Sequence, residues 1–178
     1  MNIVGVVLAG GQSKRMGTDK SSLKIGNLTL MQHAKTILTS AGINKIFVSG
    51  AQNIQDTYIN KGPVAGIYAC LEHLNQYGLI LFIPVDMPLL NKHVLLALMN
   101  QKTQHAICFK NQQLPIIIKN NLISRQIIKQ QLDNELLSIK NMLAKLNATS
   151  IISQFSNNVF TNTNTEKDWT KAKELFNL

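Results

Sequence analysis

Leu79 to Val85 reads LILFIPV, an apolar run interrupted only by a proline. A strand with one wet face alternates apolar and polar residues. An unbroken run of this length marks a strand covered on both faces, the centre of a mostly parallel sheet with helices above and below. It is well short of the roughly 20 residues needed to cross a bilayer. Pro84 cannot donate to a ladder, so the strand is expected to end there. The rest of the chain fits around it, with strand-length apolar runs alternating with amphipathic stretches in the pattern of βαβ units. Ile3 to Leu8 is the first strand, Thr29 to Ala41 a helix closed by Gly42, and Lys45 to Ser49 a second strand. Pro63 to Asn75 is a helix opening behind Gly62, and Asn91 to Asn100 another. His105 to Phe109 and Leu114 to Lys119 are strands around a polar KNQQ turn. Leu122 to Leu132 and Leu136 to Leu146 are helices, followed by short strands near Ile151 and Phe160. A last helix starts at about Thr165, where T-E-K-D forms a capping box with Asp168 as its acid.

With 178 residues, 45% of them hydrophobic, the chain can bury one sizeable core, and residues 1–178 are expected to form one domain. No basic-then-apolar leader precedes the first strand and no run is long enough to span a membrane, so a cytoplasmic protein is expected. Cys70 and Cys108 lie in apolar surroundings far apart in sequence and read as reduced core residues. His33, His73, His93 and His105 show no zinc-ligand spacing. The net charge of +9 would suit a polyanion, but the lysines are scattered from Lys14 to Lys173 without a basic, aromatic-rich stripe. Nucleic acid is therefore not the expected partner; small anionic substrates are.

Directly after the first strand comes LAGGQSKRMGTDK, Leu8 to Lys20, with three glycines, two lysines and an arginine in one loop. A glycine pair after a strand lets backbone N–H groups approach an anion, and Lys14, Arg15 and Lys20 add charge against phosphate oxygens. A Walker A loop is excluded, because Gly11 to Gly17 is one residue too long and Thr18 follows; Gly10 and Gly11 are adjacent, which excludes a dinucleotide fingerprint. The loop resembles the signature of the molybdenum cofactor guanylyltransferases, a branch of the nucleotidyltransferases related to the sugar-phosphate enzymes. V-D-M-P-L at Asp86, G-P-V-A-G from Gly62 to Gly66 and F-T-N-T-N-T from Phe160 to Thr165 are similar to further elements of that family.

The resemblance implies a three-layer Rossmann-like nucleotidyltransferase fold and transfer of GMP from GTP to the terminal phosphate of molybdopterin, with Mg²⁺ as cofactor. Transient contact with insertion proteins or target molybdoenzymes is implied too. Leu8, Ala9, Gly10 and Gly11 would contact base and phosphate, Arg15 and Lys20 would supply phosphate charge, and Asp86 would hold the metal. Ser49, Gly62 and Asn164 would complete the nucleotide site. A carboxylate after a central strand suits Mg²⁺, which takes one or two carboxylates besides water and phosphate oxygens. The family usually carries a longer segment between the residues matching Ser49 and Gly62, ending in an acid that contacts guanine. Asp56 is the only acid in this interval and is not assigned that role. The region NELLSIKNML lacks arginines often found in the family, with Lys140 in a position to substitute for their charge. Another nucleotide such as CTP, another phosphorylated acceptor, or a nucleotide-binding relative without turnover are the alternatives.

Overall fold

The computed structural model of the protein describes residues 3–9, 23–50, 54–56, 58 and 61–176. Its elements in chain order are β1 (Ile3–Leu8), β2 (Lys24–Ile25), β3 (Leu28–Thr29), α1 (Leu30–Ser40), β4 (Ile46–Ser49), α2 (Gly62–His73) and β5 (Leu79–Pro84). These are followed by α3 (Lys92–Met99), β6 (Ala106–Phe109), β7 (Ile116–Lys119), α4 (Leu122–Asp133), α5 (Ile139–Lys145), β8 (Thr149–Ile151), a 3₁₀ helix (Asn157–Phe160) and α6 (Glu166–Leu175).

Six strands form one sheet in the order β4-β1-β5-β7-β6-β8. β1 pairs in parallel with β4 and β5, β6 in parallel with β8, and only β7 runs against its neighbours. The carboxyl ends of β4, β1, β5, β6 and β8 therefore share one edge of the sheet.

Both faces of the sheet are covered, which accounts for the missing alternation in β5. Val4 and Val6 of β1, Ile80 and Phe82 of β5, and Ile116 and Ile118 of β7 pack with α2, α4 and α5. Val7, Leu81, Ile83 and Ile117 point the other way, toward α1, α3 and α6. Each strand thus gives alternate residues to two separate apolar layers.

The helix ends follow local chemistry. Thr29 caps α1 in a reciprocal box with Gln32, and Gly42 (φ +87°) closes it. Asn91 and Asn121 cap α3 and α4. Thr165 and Asp168 form the expected box at α6. Three expectations change. The segment at Phe160 is a 3₁₀ helix and not a strand, because Ser156 caps it and the Phe160 ring packs on Phe109, 5.3 Å between centroids. α5 is shorter than Leu136 to Leu146, since Glu135 turns left-handed after α4 and Leu136 to Ser138 run on as a loop whose carbonyls at Leu136 and Ser138 accept from the buried Gln131 amide. The small β2–β3 hairpin around Gly26 and Asn27 was not expected.

Candidate active site

The site is built where the shared sheet edge meets the first turn of α2. β1 ends at Leu8, paired on one side with Ser49 of β4 and on the other with Pro84 of β5. Ala9 follows Leu8, partly exposed at the mouth of this edge. Pro84 does close the ladder of β5, yet Val85 still donates to the Leu8 carbonyl at 3.2 Å and carries Asp86 out beside the start of the signature loop. Gly10, Gly11, Arg15 and Lys20 lie outside the described residues.

Asp86 is fastened from the far end of the sequence. Its carbonyl accepts from the Thr163 backbone N–H at 2.8 Å and from the Thr163 hydroxyl at 3.2 Å. Thr163 is fully buried while Asn162 and Asn164 on either side are exposed, so the alternation expected of T-N-T-N-T is present. Asn164 is held in turn by its N–H, which donates to Asp168 Oδ2 at 3.2 Å. The structure thus brings Asp86 and the Asn164 segment together. Their side chains offer carboxylate and amide oxygens, the hard donors that Mg²⁺ takes alongside phosphate oxygens and water, so these residues fit that ion. Among the described residues no group of three or more His, Cys, Asp and Glu could hold a metal ion.

The second half of the site is the opening of α2. Gly62 has φ +69°, a left-handed conformation that swings the chain so that Pro63 can occupy the first turn. Lys61 at the N-cap makes no side-chain cap bond, which leaves the first-turn N–H groups without that partner. One turn on, Gly66 is required by close approach. A Cβ there would lie 2.6 Å from Ser49 Oγ and 3.4 Å from Asp56 Oδ1. Ser49 is buried, as is the Cys70 thiol of the same helix as Gly66. Burial pushes that thiol up to about 12, so it stays protonated and is no nucleophile.

Asp56 was passed over in the sequence and the fold brings it in. A parallel bridge between Ser49 and Ile54, with Gly50 N–H donating to the Ile54 carbonyl at 2.8 Å, folds the segment back onto the end of β4 and delivers Asp56 to the α2 opening. Its Oδ1 is buried with no hydrogen-bond partner among the described residues, and burial raises the carboxyl from its ordinary value. A buried acceptor left without a donor costs stability, and such a group is commonly part of a site.

The geometry has its counterpart in known proteins. The family model described as MobA-like NTP transferase domain matches residues 5–148. The chain belongs to the MobA-like NTP transferases. A molybdenum cofactor guanylyltransferase of Xanthomonas euvesicatoria is 31% identical over 128 residues, 70% of this chain and 68% of that protein. One of Rhizobium johnstonii is 34% identical over 96 residues, 49% of this chain and 46% of the relative, so the matched stretch spans about half of that protein. Among solved structures, the molybdopterin-guanine dinucleotide biosynthesis protein A of Archaeoglobus fulgidus has a TM-score of 0.75 at 20% identity, covering 97% of this chain and 98% of its own. A 2-C-methyl-D-erythritol 4-phosphate cytidylyltransferase of Thermus thermophilus reaches 0.73 at 12% identity over the whole of both chains. At such identities the structural likeness speaks for the fold alone. A MobA-like fold shared with a cytidylyltransferase does not choose the base, so that choice has to lie in side chains. No described helix is long and apolar enough to cross a membrane.

Gly66→Ala is expected to destabilise this MobA-like protein by roughly 1–3 kcal/mol, the usual range for overpacking. The new methyl must displace the buried Ser49 hydroxyl, 2.6 Å away, while Asp56 Oδ1 at 3.4 Å stays in ordinary contact. Thermal melting should drop by several degrees and nucleotide affinity should fall with it. A variant as stable as wild type would show that Ser49 can swing aside.

Proposed function

We propose that the protein transfers GMP from GTP to the terminal phosphate of molybdopterin, releasing pyrophosphate. The observation that supports this reading is the buried Asp56 Oδ1, without a hydrogen-bond partner among the described residues, beside Gly66 and Ser49 on the same sheet edge as Asp86. Guanine presents two adjacent donors, N1–H and the 2-amino group, which one carboxylate can accept together. Cytosine and adenine each present one amino donor flanked by a ring acceptor, which a carboxylate repels. A half-buried carboxylate with an unpartnered oxygen therefore favours GTP over CTP and ATP.

An acceptor phosphate oxygen attacks the α-phosphorus in line, the new P–O bond forms, and the bond to the bridging oxygen of pyrophosphate breaks. No protein nucleophile is needed, so the chain's work is positioning and charge. The Leu8 to Gly11 backbone and the first turn of α2 place the nucleotide, and Arg15 and Lys20 offset charge on the phosphates. Asp86, with Asn164 beside it, would hold Mg²⁺. When bound, such an ion would supply positive charge against the triphosphate. Thr163 fixes the Asp86 backbone so that the carboxylate stays aimed as charge develops.

Calorimetric titration of GTP, CTP and ATP in the presence of Mg²⁺, followed by a transfer assay with molybdopterin, tests the reading. GTP is expected to bind at least tenfold tighter than the other two and to support transfer. Equal binding of all three, or transfer from CTP, would overturn it.

A further inference from the structure

Asp56 lies on neither a helix nor a strand, so something outside its own backbone has to hold it against Gly66 and Ser49. We propose that Tyr58 is the residue that positions it: tied to Asp133 at the end of α4, Tyr58 fixes the Asp56 carboxylate where it meets the base, and so sets the preference for GTP. The proposal rests on the guanylyl-transfer reading above and goes beyond it by naming what keeps the base-reading carboxylate in place.

On one side Asp56 is anchored through backbone. Ile54 is buried, donates to the Val48 carbonyl at 3.2 Å and accepts from Gly50 N–H at 2.8 Å. On the other side the anchor is the Tyr58 side chain. Its hydroxyl donates to Asp133 Oδ1 at 2.7 Å, and its ring meets the buried Tyr68 of α2 edge-on, 5.7 Å between centroids. Between the two anchors the chain is not backed by core, because Gln55 and Tyr58 line a cavity of about 660 Å³ with Tyr68, Ala69 and Glu72 of α2. Packing along the helix therefore does little to fix Asp56, and the two anchors carry its placement.

The far end of the tether is more rigid than the segment it holds. Ile128 and Leu132 of α4 are buried in the layer they share with α2, and Arg125 Nε meets Glu72 Oε1 at 3.1 Å. Asp133 is itself aimed by Lys129 one turn back, whose Nζ donates to Oδ2 at 2.8 Å while Oδ1 takes the Tyr58 hydroxyl. Lys129 and then Tyr58 hold the Asp133 carboxyl below its ordinary range, so the acceptor is ionised at neutral pH and the bond from Tyr58 is charge-assisted. Lys61 adds a second link to the same corner, donating to Glu135 Oε1 at 2.6 Å, but the Glu135 side chain is 75% exposed and such pairs contribute little. The Tyr58 bond is thus the link that the placement of Asp56 depends on.

Tyr58→Phe and Asp133→Ala break this bond from its two ends, and calorimetric titration of GTP and CTP with Mg²⁺ reads the affinity ratio of each variant. Each is expected to narrow the preference for GTP by roughly three- to tenfold, the size of about one ordinary hydrogen bond, with CTP affinity unchanged. The double variant should do no more than either single one, since both remove the same bond. Asp133→Asn keeps an acceptor oxygen for the Tyr58 hydroxyl and should retain most of the preference that Asp133→Ala loses. In an Asp56→Asn background, Tyr58→Phe should leave the ratio where it finds it. Asp133 is exposed, so its variants carry the test should Tyr58→Phe fail to fold. A purely structural role would instead lower the melting temperature and weaken both nucleotides alike, and that result overturns the proposal. So does an undiminished GTP preference in both single variants while Asp56→Asn loses it, which leaves the guanylyl-transfer reading standing. If Asp56→Asn keeps the wild-type preference, that reading itself falls, and the role of Tyr58 with it.

Discussion

Asp86→Asn is expected to lower GMP transfer about a thousandfold or more. Losing the carboxylate removes several kcal/mol of metal-mediated charge stabilisation, and each 1.36 kcal/mol is roughly a factor of ten in rate. The asparagine has the same shape, and the bonds from Thr163 go to the backbone carbonyl of residue 86, which the substitution keeps. The melting temperature should therefore match wild type, and GTP binding without Mg²⁺ should be unchanged. Turnover within tenfold of wild type, measured with saturating GTP and Mg²⁺, would show that Asp86 does not hold the metal.

Asp56→Asn should separate stability from binding. Burial raises the Asp56 carboxyl in the folded chain above its ordinary value of 3.8. Folding then favours the protonated acid. Its stabilising contribution is complete below the unfolded value and is lost as pH rises through the folded one. At neutral pH the half-buried charge is a burden, which the neutral asparagine lifts. The variant should melt above wild type at pH 7, with the gap closing as pH falls below 3.8. GTP affinity should move the other way. A hydrogen bond to a charged group contributes about 1.5–3 kcal/mol, so turning one acceptor of the pair into a mismatched amide should cost roughly tenfold to a hundredfold. Wild-type affinity for GTP should itself weaken as acid protonates Asp56. A variant that melts lower at pH 7 and still prefers GTP would contradict both halves.

The sheet was legible because its determinants are local. Thr29, Asn91 and Thr165 sit where they cap, Pro84 ends its strand, and the run at β5 could only be covered on both sides. The hairpin β2–β3 was missed, since its strands are only two residues each, although Gly26-Asn27 between them is a turn pair. Phe160 misled because an apolar residue in a polar stretch signals burial without saying which backbone delivers it; here a capped 3₁₀ turn seats it on Phe109. Asp56 was missed for a different reason. Its spacing from Gly62 is visible in the chain, yet its nearness to Ser49 and Gly66 depends on the fold-back at Ile54, a tertiary contact with no sequence signature. Asp86 and Asn164 were found separately, and only the Thr163 bonds show them as one unit.

The loop carrying Asp86 is gripped twice: by Thr163 at its start, and two residues on by His33, whose Nε2 donates to the Pro88 carbonyl at 2.8 Å while its ring meets Phe176 edge-on. The amino-terminal half alone can lay down the pairing of β4, β1 and β5 and the opening of α2. It cannot make the bonds from Thr163 that fasten the Asp86 backbone. On the ribosome, then, the parallel edge of the sheet can take shape well before the Asp86 loop is fastened, and the proposed chemistry has to wait until Thr163 and Phe176 have emerged and closed over the work of the first half.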